Sequence, residues 1–199
     1  MKHSKLPMTL SKIVLVGFSI YFLYILVQAV SVVNRRHIGT NKGTYINSTT
    51  SAPYIRELAS KLTKNCHTNL CIVQNILDYV TNIPYKINNF QAHSPQQTIQ
   101  KKFGDCDDKS NLLISLLHQK NIESYFVLVP RHIFVIVNLD ETLHRKALYL
   151  NNKRYYILES TAKDSPIGFP LQYELHQISA IIEPFKNRKI EIKQLQWKL

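Results

Sequence analysis

The hydrophobic period of this chain changes once, and the change falls at Asn121. Before it, Leu112, Leu113, Leu116 and Leu117 recur at the spacing of one helix face. After it, "SYFVLV" (124–129) and "HIFVIV" (132–137) are β-branched and aromatic, bounded by Pro130-Arg131, and read as strands. "KALYL" and "RYYILEST" flank Asn151-Asn152-Lys153, a hairpin turn. Upstream, Pro53 opens a helical stretch to about Lys64, and 70–82 carries Leu70, Val73, Ile76, Leu77 and Val80 on one face until Pro84 ends it. Ser94-Pro95 starts a further short helix. Asn121 takes the left-handed turn that ends the leucine helix. Helices followed by an antiparallel sheet packed on the last of them define an α+β fold. Residues 164–186, with Pro166, Pro170 and Pro184, read as irregular, and "IEIKQLQWKL" as a last strand.

Residues 13–33 form an uncharged apolar run between Lys12 and Asn34-Arg35-Arg36. About 20 apolar residues at a rise of roughly 1.5 Å cross a hydrocarbon core. The run predicts one transmembrane helix, and its length favours an anchor over a signal peptide cleaved after Ala29. The chain then reads as a short basic N-terminus (1–12), an anchor (13–33), a Gly/Ser/Thr/Asn-rich linker (34–52) and one domain (53–199). Lysines precede the run, while Arg35, Arg36 and Lys42 follow it. The reading adopted has a short cytoplasmic N-terminus and the domain outside. Asn47-Ser48-Thr49 fits a glycosylation acceptor.

The net charge is +12, but the lysines are scattered and no helix carries a basic stripe, so no nucleic-acid partner is expected. Cys66 and Cys71 either bridge in an oxidising compartment or pack as small apolar residues. As zinc ligands they lack a second pair at metal spacing, and neither metal nor cofactor is expected.

The stretch "FGDCDDKSNLLISLL" (103–117) holds the chemistry. Gly104 breaks the chain, Asp105 serves as N-cap, and Asp108 stands where a capping box needs an acid. Cys106 then sits in the first helical turn, where free N–H groups and the macrodipole favour a thiolate. The aspartates oppose it, but are expected to turn outward, screened by solvent or paired with Lys109. Four carboxylate and thiol groups at consecutive helical positions point in different directions, which speaks against a metal site. A base is then needed. His118 lies roughly 18 Å along the same helix and is too far. His93, His144 and His176 fall in loops. His132 opens a strand of the sheet that covers this helix, and Glu159 ends another as its first charged residue after four apolar or aromatic ones.

"FGDCDDKSNLLISLLHQKNIESYFVLV", then "RHIFVIV" and "YYILEST", resembles the transglutaminase-like (papain-like) cysteine enzyme superfamily over roughly residues 70–162. There a Gly-x-Cys starts a helix, a His opens a strand, and a carboxylate ends a later strand. The resemblance implies Cys106 as nucleophile, His132 as general base and acid, and Glu159 as orienting carboxylate. The backbone N–H of Cys106 would be one oxyanion donor, with Tyr85 and Gln100 the candidates for a second. It implies a papain/transglutaminase-like fold and acyl transfer, or amide or peptide hydrolysis, through a thioester on a protein or peptide. Three departures stand out: Glu159 replaces the usual Asp, Phe134 stands two after the His where Trp is common, and Glu-Ser-Thr replaces Asp-Pro-Thr. They keep open an inactive binding or scaffold module.

Overall fold

The computed structural model describes residues 6–34, 36–40, 43–88 and 92–198, with side chains of the first helix described over 11–27. Lys2, Lys5, Arg35 and Lys42, on which the expected orientation rests, lie outside the described residues. The chain divides into two compact units, Met1–Arg36 and His37–Leu199.

The first unit is helix α1, Leu6–Asn34, with large apolar side chains exposed from Ile13 to Val27. Among the described residues no helix is long and apolar enough to cross a membrane. The transmembrane helix expected over 13–33 is therefore not found among the described residues.

The second unit opens with a two-stranded sheet, β1 (Arg36–Thr40) and β2 (Gly43–Asn47). A linker was expected here. Instead Ile38 and Tyr45 are buried in the domain core. Polar composition hid two apolar anchors. The glycosylation reading also fails on geometry: Asn47 is buried, and its amide nitrogen donates to the Pro184 carbonyl (2.5 Å) and to Asn187 Oδ1 (3.0 Å).

Four helices follow: α2 (Pro53–Leu62), α3 (Asn69–Thr81), α4 (Pro95–Lys101) and α5 (Cys106–His118). Their starts obey local rules. Pro53 stands at the first turn of α2, Thr68 caps α3, and Ser94 with Gln97 forms a capping box on α4. Cys66 and Cys71 are bridged, joining the end of α2 to the start of α3. After α5, Asn121 takes a left-handed φ of 56°, as expected.

The sheet strands are β3 (Ser124–Val129), β4 (His132–Val137), β5 (Ala147–Leu150), β6 (Lys153–Leu158), β7 (Ala180–Glu183), β8 (Arg188–Lys189) and β9 (Leu195–Lys198). They pair in the order β8-β7-β3-β4-β6-β5-β9, all antiparallel. β7 falls in the stretch read as irregular. Four residues before a proline carry little local signal, and the strand exists because Ile182 pairs with Phe126, far away in sequence.

Strand side chains alternate between two cores. Phe126, Leu128, Ile133, Val135, Tyr156 and Leu158 face the helices. Val127, Val129, Phe134, Ile136, Tyr155 and Ile157 face away, and are covered by Phe169, Leu171, Tyr173, Leu175 and Trp197. Burial on both faces is why these strands read as unbroken apolar runs rather than alternating ones.

Candidate active site

Cys106 is the first residue of α5. The Asp105 carboxylate accepts the N–H groups of Asp107 (3.1 Å) and Asp108 (3.2 Å), and Asp108 returns a bond to the Asp105 N–H (3.3 Å). The capping box read from sequence is therefore built. Gly104 is needed for room: a Cβ there would lie 2.8 Å from the Asp108 Cβ. The Gly104 N–H donates to the Pro84 carbonyl (3.2 Å) and the Lys86 N–H to the Gly104 carbonyl (3.1 Å). The residues leading into α5 are thereby laid against 84–86.

The aspartates do not turn outward. Asp108 is fully buried, accepts the His93 N–H (2.5 Å) and lies 3.2 Å from His93 Nδ1. Asp107 accepts a weak bond from the Cys106 thiol, 3.8 Å away, and the Ile46 N–H draws its carboxyl downward. Lys109 pairs with none of them. It is fully buried, and its Nζ donates to the carbonyls of Ile83 (2.7 Å) and Thr81 (3.4 Å), closing the C-terminal end of α3.

These placements reverse the expected electrostatics of the thiol. Burial first, then the charges of Asp107 and Asp105, push Cys106 up to about 12, against the lowering pull of N–H bonds from Ile133 and Asp107. Burial also raises Asp107 to about 7, and Asp105 adds to it. The helix start alone does not yield a thiolate. The sulfur rests protonated and needs a partner to take its proton.

His132 and Glu159 are brought together. His132 Nε2 lies 2.8 Å from Glu159 Oε2. The register explains the reach. Val135 faces Leu158 and Ile136 faces Ile157. Continued by one residue, that register sets Glu159 against Phe134, with His132 diagonally placed on the same face. Burial works against the Glu159 charge, but bonds from His132 and from the N–H and hydroxyl of Thr161 outweigh it and hold the carboxyl below the usual range. With Glu159 ionised, His132 Nε2 carries a proton and donates to it. The N–H of Ile133, the residue after His132, lies near enough to draw the Cys106 thiol downward. Of the three expected site residues, His132 and Glu159 are thus in direct contact at one end of β4, and Cys106 opens α5.

The two candidates for a second oxyanion donor differ in placement. Gln100 is exposed on α4. Tyr85 is half exposed and close enough for the charges of Cys106, Asp105, Asp107 and Glu159 to act on its hydroxyl. His118 stacks on Phe185 at the far end of α5, and His144 and His176 are exposed. His93 is buried beside Asp108, and its Nε2 lies 2.9 Å from Lys101 Nζ. Sequence reading missed Tyr173, whose ring stacks over both His132 and Phe134, with centroids 6.2 Å from each. It lies in the proline-rich stretch, where no periodic pattern marks it. Among the described residues no group of three or more His, Cys, Asp or Glu is placed to hold a metal ion.

Residues 56–133 match the transglutaminase-like superfamily. That stretch, from α2 to the first residues of β4, is a transglutaminase-like core, as the resemblance in the sequence implies. It includes Cys106 and His132 and stops short of Glu159. None of the curated proteins searched matches the chain. Among solved structures, a "putative cysteine protease" of Cytophaga hutchinsonii superposes with a TM-score of 0.50 at 17% identity, over 76% of this chain and 52% of that one. A "putative protease" of Parabacteroides distasonis gives 0.46 at 14% identity, over 70% and 27%. Legionella pneumophila LapG gives 0.41 at 12% identity, over 62% and 81%. The chain spans about half the length of the Cytophaga protein, and that likeness is one of fold.

Proposed function

We propose that this chain is a cysteine enzyme that transfers an acyl group to water or to an amine. The observation that carries the reading is the 2.8 Å bond between His132 and Glu159. Since the sulfur rests as a thiol, His132 acts as a general base. Nδ1 takes the proton as sulfur attacks the acyl carbon of a protein or peptide amide. The imidazolium, held by Glu159, returns the proton to the leaving amine. A thioester remains on Cys106, and water or an amine resolves it through the same base. The Cys106 N–H at the helix start is suited to the developing oxyanion.

The test compares alkylation of Cys106 by iodoacetamide at pH 7.5 in the wild type and in His132→Ala. We expect at least about a ten-fold slower reaction without the imidazole, within the range general-base assistance supplies. Equal rates would remove His132 from the site.

A second reading is a binding module without turnover. The raised thiol, with the Asp107 carboxylate 3.8 Å away, favours it. It predicts that Cys106→Ala retains every function of the wild type.

We propose further that residues 13–33 attach the chain to a membrane with the domain on the extracytoplasmic side. The exposed apolar side chains of α1 and the Cys66–Cys71 bridge, which an oxidising compartment maintains, support that placement. Recovery of the chain in the soluble fraction after cell lysis would refute the attachment. Modification of domain lysines by an impermeant reagent on intact cells tests the side.

A further inference from the structure

One short stretch touches both halves of the proposed site. Tyr45, at 6% exposure, lies in β2, and its ring belongs to the helix-side core. Its hydroxyl donates to the Val129 carbonyl (2.7 Å) and sits 3.1 Å from the His132 carbonyl. Those carbonyls flank the two-residue turn Pro130-Arg131, since Val129 pairs with His132. Arg131 takes a left-handed φ of 57°, a conformation that strains a non-glycine residue. The turn that presents His132 is thus under strain, and one buried hydroxyl pins both of its ends.

The next residue points the other way. The Ile46 carbonyl accepts from Asn111 Nδ2 (2.8 Å), and the Ile46 N–H draws the Asp107 carboxyl downward. Asn111 Oδ1 in turn accepts the Ser48 N–H (2.8 Å). Asp107 and Asn111 lie in the first turns of the helix that Cys106 opens. From Tyr45 to Ser48 the chain therefore crosses from the base strand to the nucleophile helix, held at both ends by buried or half-buried bonds.

We infer that Tyr45 is a positioning residue for His132. Residues 45–48 form a splint that sets the distance between the imidazole and the thiol. This rests on the general-base reading above. Tyr45 itself takes no proton from the substrate. Burial and the neighbouring Asp107 and Cys106 push its hydroxyl up to about 12, so it stays a donor through the working pH range. Asp107, Cys106 and Tyr173 are the titratable groups that act on it.

The experiment is a double-mutant cycle on the full chain, read as the rate of Cys106 alkylation by iodoacetamide at pH 7.5. Tyr45→Phe keeps the ring in the core and removes the hydroxyl. In the wild-type background we expect Tyr45→Phe to slow alkylation by about three- to ten-fold, part of what His132→Ala removes. In the His132→Ala background the same change should have no further effect. A general loosening of the site would act in both backgrounds. Equal effects in the two, or none in either, overturn the inference. Should Tyr45→Phe not fold, Asn111→Ala loosens the other end of the splint and is read in the same cycle with the same two outcomes. If wild type and His132→Ala alkylate alike, the general-base reading has failed and this inference falls with it. If they differ while Tyr45→Phe matches wild type, the inference alone has failed.

Discussion

Helix α5 is buried continuously from Asp108 to Leu117, yet its two halves obey opposite chemistry. The C-terminal half carries Leu112, Leu113, Ile114, Leu116 and Leu117, whose burial asks only for apolar neighbours of the right volume. The N-terminal half carries Asp108, Lys109, Ser110 and Asn111, each tied to a particular partner: His93, the carbonyls of Thr81 and Ile83, Ser160, and Ile46 with Ser48. A buried polar group without its partner costs the full desolvation penalty. One half therefore stores stability and tolerates exchange of similar volumes. The other fixes geometry around Cys106 and tolerates little.

If that division is right, substitutions in the two halves should separate stability from reactivity. Leu116→Ala should give the largest loss of stability, about 2–5 kcal/mol in urea unfolding, with Cys106 alkylation unchanged in native buffer. A parallel change in reactivity would erase the distinction. Gly104→Ala comes next. Its Cβ meets Asp108 at 2.8 Å, and overpacking of this kind costs about 1–3 kcal/mol. Because it shifts the cap, it should alter the alkylation rate as well, which stopped-flow measurement resolves.

Asp105→Ala removes the N-cap and should cost about 1 kcal/mol, read as a lowered thermal midpoint. Asp107→Asn is expected to change stability with the opposite sign. The folded carboxyl is raised to about 7, above its unfolded value, so its ionisation weakens the fold as pH rises through that range. The variant should be the more stable at pH 8, with the gain shrinking as pH falls towards 4. It should also alkylate faster, since a charge that opposes the thiolate is gone. A thermal midpoint difference independent of pH would place Asp107 outside the buried cap.

Two turns of the sheet carry the same contrast into loop chemistry. Asn151-Asn152 joins β5 to β6 with both residues left-handed (φ 50° and 67°), and asparagine accepts that conformation readily. Pro130-Arg131 joins β3 to β4 with a left-handed arginine, pinned by Tyr45. The first turn was legible because its residues suit it. The second was legible only as a boundary, since nothing local announces a residue held by a hydroxyl 86 positions upstream.

The amino-acid sequence by itself determined α2 to α5, the hairpin strands β3 to β6 and the cap at Asp105. Each is written in local spacing, a capping residue or a turn pair. It also singled out Cys106, His132 and Glu159, through their order and their places at element ends. Tertiary structure alone decided the charge state of the thiol. Whether Asp107 meets solvent or the Ile46 N–H depends on where β2 lies, and desolvation outweighs the helix start once it is buried. It alone decided the meeting of Glu159 with His132, and the burial of Ile38 and Tyr45 in a stretch of polar composition. Contacts between distant segments have no period in the chain, so the dielectric and the reach they create are fixed only when the chain has folded.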